Sequence, residues 1–150
     1  MAAFVSFLHF LAAFTLVAAL TVEFVLIRGE LTLANARKLR VADITYGASA
    51  GVVLVAGLLR VFYFEKGSSY YFASWPFIAK ITLFVVVALL SIYPTIEFNS
   101  WRKSLKQGQT PLLSERKRRA IRSMIHWQLA AIVLLVLCAA LMAKGIGYRG

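Results

Sequence analysis

Seven ionisable side chains lie within or at the edges of long apolar stretches: His9, Glu23, Asp43, Arg60, Lys80, Glu97 and His126. A charge at such a position costs a few kcal/mol in hydrocarbon, so each is a candidate for chemistry before it is a candidate for packing. Counted along alternating helices, they fall into two layers. His9, Arg60 and Lys80 each sit about 6–8 Å inside one end of a helix, and Met142 lies at a similar depth. An imidazole and a thioether with two cations nearby form a donor set for the iron and propionates of haem b, or for a copper ion without the propionates. Arg60 and Lys80 also have stems long enough to reach lipid headgroups from that depth, which is the plainer expectation for them. His9 and His126 are about 20 Å or more apart in depth, too far to be two axial ligands of one haem.

The opposite layer is mostly acidic. Glu23, Asp43 and Glu97 are expected to pair with Arg28, Arg37, Arg40 or Arg102 at the membrane surface, which lowers the cost of burying either sign. A proton-accepting carboxylate site is the alternative, but no carboxylate chain continues from it toward the other layer. There is no Ser/His/Asp set, phosphate-binding glycine loop, His-x-x-x-His pair or paired carboxylate cleft. The lone Cys138 allows neither an internal disulfide nor a cysteine zinc cluster, and its apolar setting suits packing.

The elements that position these residues follow from composition. Of 150 residues, 61% are hydrophobic and 15% charged, against about 25% charged in ordinary soluble domains. Mean hydropathy is +0.77. Stretches 4–26, 42–64, 76–98 and 124–144 are each long enough to cross about 30 Å of hydrocarbon as a helix. They are continuous apolar runs and not alternating strands, so the expected fold is an all-α membrane protein, a single four-helix antiparallel bundle over 1–150. The first span is too long for a secretory leader and reads as retained.

The net charge of +11 marks orientation in so apolar a chain, and nucleic acid is not an expected partner. Connections one and three carry twelve basic residues and share one side; Lys66, Lys144 and Arg149 lie on the other, joined by Arg60 and Lys80 if those reach out. The positive-inside rule then puts both termini outside the cytoplasm. Tyr63, Tyr70, Tyr71, Trp75 and Tyr148 mark the outer boundary, and Trp101 and Trp127 the inner one.

Residues 31–40 carry Leu33, Ala36 and Leu39 at helical spacing after Thr32, which predicts a short interfacial helix. The third connection breaks at Gly108 and is expected to restart with Thr110 and Pro111 as cap and first helical residue. Its basic run, Arg116 to Arg122, suits anionic lipid. In span two, Gly47 and Gly51 form a small-xxx-small pattern, with Gly57 further along; such faces pack helices closely, within the bundle by first expectation or in self-association otherwise. Pro94 removes a hydrogen bond to the Leu90 carbonyl and predicts a kink. No internal repeat supports an inverted-repeat transporter.

The stretches Ala42-Asp43-Ile-Thr-Tyr-Gly47, Gly57-Leu-Leu-Arg60, Tyr70-Tyr71, Leu89-Leu-Ser-Ile-Tyr-Pro-Thr-Ile96 and Cys138-Ala-Ala-Leu-Met142 resemble a family of small bacterial predicted membrane proteins of unknown function. That resemblance implies a four-helix inner-membrane protein and no particular activity. Leu8-His9 and Trp75-Pro-Phe-Ile-Ala-Lys80 are also remotely similar to four-helix proteins of the haem-dependent protoporphyrinogen oxidase and copper-resistance type. This implies a cofactor site at the His9 end. Where that family has further histidines, this chain has Arg28-Gly-Glu30 and Ser91-Ile-Tyr-Pro94. The expected protein is a membrane-embedded accessory or structural subunit whose partners are lipid and other membrane subunits, or its own copies through span two. A haem or copper redox protein is the alternative.

Overall fold

The computed structural model describes residues 1–64 and 72–147. Lys66, Tyr70, Tyr71, Tyr148 and Arg149, expected at the outer boundary, lie outside the described residues. Four long helices dominate: α1 (Ala2–Arg28), α2 (Leu33–Leu59), α3 (Trp75–Ser100) and α5 (Glu115–Ala143), with a short α4 (Arg102–Lys106) after α3. All four long helices are long and apolar enough to cross a membrane.

The connection between α1 and α2 is only residues 29–32, closed by local bonds. The Thr32 hydroxyl accepts from the Asn35 N–H at 3.1 Å, and the Asn35 amide donates back to the Glu30 carbonyl at 2.8 Å. Thr32 is therefore an N-cap, but of α2 itself. The separate interfacial helix expected over 31–40 is corrected: nothing between Leu39 and Ala42 breaks a helix, so those residues are the first turns of a rod that continues to Leu59. It closes with a π-helical turn at Arg60–Phe64.

The third connection is corrected too. Gly108, at φ 69, ends α4 in the left-handed region that glycine tolerates best, but the chain does not restart at Thr110. Ser114 is the cap, its hydroxyl accepting from the Lys117 N–H at 3.3 Å. Glu115 follows it in the first turn, where its charge favours the helix dipole. The basic run Arg116 to Arg122 is thereby the opening of α5 and not a loop.

The helices run antiparallel, as contacts at both ends show. At one end Arg37 donates to the Leu105 carbonyl at 3.4 Å and Arg118 to the Gly29 carbonyl at 2.8 Å, which joins the two basic connections. At the other, the Trp75 N–H donates to the Gly147 carbonyl at 3.3 Å. The main pairings are α1 with α2 and α3 with α5, and α1 meets α5 between them. Leu20, Leu39, Phe98, Ile121 and Ile125 are completely enclosed, and Phe98 lies against Trp101 with ring centroids 5.0 Å apart. This core gathers toward the basic end. Large apolar side chains elsewhere, such as Phe14, Val133 and Leu89, face outward, as they do when the surroundings are lipid.

Candidate functional site

At the end away from the basic connections, His9 reaches across from α1 to α2. Its Nδ1 lies 3.1 Å from the Val53 carbonyl oxygen; a carbonyl only accepts, so Nδ1 is the donor. Gly57 makes room for the ring: a Cβ there would stand 3.2 Å from His9 Cε1. His9 and Lys80 line one cavity of about 70 Å³ with Gly57, Val61 and Phe77. Met142 packs against Val61 and Phe77. The Arg60 guanidinium lies over the Phe10 ring, 5.3 Å from its centroid, on a ring that is itself largely exposed. Three of the four residues expected to share a pocket are thus close to one small cavity, and Arg60 is turned to a neighbouring ring. At about 70 Å³ the cavity is far too small for a porphyrin with two propionates.

At the basic end, polar residues of all four long helices approach one another. The Tyr46 hydroxyl on α2 donates to Gln128 Oε1 on α5 at 2.8 Å, with both residues buried. The Thr95 hydroxyl on α3 donates to Asp43 Oδ1 at 2.6 Å. Glu97 is paired with Lys117 at 2.9 Å and also accepts from the Trp101 indole N–H at 3.4 Å. Glu23 on α1 is 2% exposed, and its buried Oε1 has no hydrogen-bond partner among the described residues.

These contacts correct the expected ion pairs. Glu97 has an ion pair, but with Lys117 and not with Arg28, Arg37, Arg40 or Arg102. Asp43 is held by a hydroxyl, and Glu23 has no cation within salt-bridge distance among the described residues. Two of the expected cations have other contacts: Arg28 lies over the Phe24 ring at 4.7 Å, and Arg37 is turned to the Leu105 carbonyl. His126 is exposed at the helix surface, its ring 6.3 Å from that of Phe24.

The family described as predicted membrane protein (DUF2214) matches residues 1–147. The chain belongs to this family. No curated protein and no solved structure matches it.

In this family member, the three glycines of α2 divide by face. Gly57 meets His9, whereas Gly47 and Gly51 are exposed, and a Cβ at either would find nothing within 4 Å among the described residues. The first expectation, that all three pack within the bundle, is corrected for Gly47 and Gly51. Along this part of α2 the buried residues are Ala42, Asp43, Tyr46, Ser49 and Ala56, and the two glycines lie off that face. Pro94 is buried within α3, which stays helical through it. Cys138 is buried and unpaired.

Sequence reasoning missed Tyr46, Gln128, Thr95 and Lys117. Tyr46, Gln128 and Thr95 are neutral at pH 7, so they do not stand out as a charge does in an apolar run. A glutamine within a long apolar run is itself a signal, since an amide in hydrocarbon needs a partner.

Proposed function

We propose that this protein is a non-catalytic accessory or structural subunit of a bacterial inner-membrane assembly. In this reading it packs a partner helix on the Gly47–Gly51 face of α2, with both termini outside the cytoplasm. The observation that carries the reading is the open state of that face. Two exposed glycines four residues apart have open space where a Cβ would stand, and such small-residue faces allow helix backbones to approach closely where no hydrophobic force drives association. The experiment is a native gel of protein extracted from membranes in mild detergent. Wild type should migrate above the size of a single chain, and Gly51→Ile should fall back to it, while Val133→Ile, at an exposed position on α5, should migrate as wild type. The mass of the larger species separates a partner subunit from a second copy. Unchanged migration of Gly51→Ile would remove this face as the interface.

A second reading, a redox centre at His9, is favoured by the bond between the ring's Nδ1 and the Val53 carbonyl. A hydrogen bond from Nδ1 to a backbone carbonyl is the usual support of a histidine that ligates through Nε2. The cavity restricts this reading to a single ion such as copper. Protein purified from copper-supplied cells with no bound copper would end it.

A further inference from the structure

A second concavity lies on the lipid-facing side of the α1–α2 pair, toward the basic end. It is an open groove of about 490 Å³. Ala19 and Ala42, both buried, lie at its base, and Val22 and Val41 stand beside it with 45% and 63% of their surface exposed. Thr15 and Thr45 also line it, but their hydroxyls donate to the Leu11 and Val41 carbonyls one turn back, each at 2.9 Å. The groove therefore asks its occupant for no hydrogen bonds along its length. From Arg37 to Thr45 it follows α2 for about 12 Å, most of the depth of one leaflet's hydrocarbon.

Besides Ala18, its remaining lining residues are Arg37 and Lys38, both exposed at the start of α2. Arg37 is steadied by its bond to the Leu105 carbonyl, which leaves further guanidinium donors for an anion. Lys38 is in no ion pair among the described residues. A long apolar trough ending in two cations at the membrane surface is complementary to one kind of molecule, an amphiphile with an acyl chain and an anionic head.

We infer that the α1–α2 groove binds an anionic phospholipid, with one acyl chain along Val22 and Val41 and its phosphate held by Arg37 and Lys38. The two cations select for charge; the small residues Ala18, Ala19 and Ala42 give the chain its depth.

Native mass spectrometry of the full chain tests this, with equal amounts of phosphatidylglycerol and phosphatidylethanolamine added to the detergent-purified protein. Phosphatidylglycerol should be retained about thirtyfold more, the size expected from two basic residues at a membrane surface. Arg37→Gln with Lys38→Gln should bring the two lipids level. Ala18→Trp, which fills the groove without touching its charge, should reduce retention of both, and Arg119→Gln, a cation outside the lining, should leave the preference intact. Glycerol 3-phosphate in excess should not displace the lipid, because the chain contributes to binding. Equal retention of both lipids by wild type would overturn the inference, as would a preference that survives the double variant or displacement by the free headgroup.

Discussion

Gly57→Leu is expected to destabilise the bundle by about 1–3 kcal/mol, the usual cost of forcing extra volume into a packed interface, whereas Gly57→Ala should change stability little. The difference follows from the space beside His9. A Cβ at position 57 would come within 3.2 Å of Cε1 and 3.5 Å of Nδ1, so a methyl needs only a small shift of the ring. Against that shift, alanine recovers about 1 kcal/mol of helix propensity over glycine. Leucine has three more carbons to place, and the ring cannot turn away without giving up its 3.1 Å bond to Val53. The strain then falls on the contact between α1 and α2, the most extensive in the bundle. Thermal unfolding of the detergent-solubilised variants measures it: a large fall for leucine and a small change for alanine. Equal midpoints for leucine and wild type would mean that the two helices do not meet closely at this point.

Gly57 also illustrates what was legible in the sequence. The four spans, their order and their antiparallel course follow from apolar length and short connections, because hydrocarbon admits only backbones that satisfy their own hydrogen bonds. The two depth layers are legible for the same reason, since depth is a matter of counting along a helix. Rotation about the helix axis is not. A span that is apolar on every side has no polar stripe to show which face turns inward, so nothing distinguishes Gly57, which meets a histidine, from Gly47 and Gly51, where a Cβ would meet nothing within 4 Å among the described residues. Partner choice fails likewise. Glu97 has Arg102 five residues away, yet it pairs with Lys117, which α5 brings alongside α3.

Helix ends were legible only in part. Thr32 was recognised as a cap, but the helix that it opens is the span itself. Thr110 and Pro111 have the right types for a helix start and lose to Ser114, which has an acidic residue directly after it. The two layers also differ in how they are satisfied. The acidic one is joined across helices by Tyr46 with Gln128 and Thr95 with Asp43, and such interhelical bonds add specificity to spans whose apolar surfaces alone favour no single rotation. At the His9 end the bond from His9 to the Val53 carbonyl stands beside a small cavity.

The proposed reading also depends on which side of the membrane faces the cytoplasm. Arg37, Arg118 and the opening of α5 form one basic end, which the positive-inside rule predicts to face the cytoplasm. Cysteine accessibility measures this directly. In a Cys138→Ser background, Gln109→Cys lies in the connection between α4 and α5, and Lys144→Cys lies at the end of α5; both positions are exposed. With a membrane-impermeant maleimide added to intact spheroplasts, Lys144→Cys should be labelled at once and Gln109→Cys only after permeabilisation. Labelling of Gln109→Cys in intact spheroplasts with Lys144→Cys protected would place the basic end outside and contradict the account.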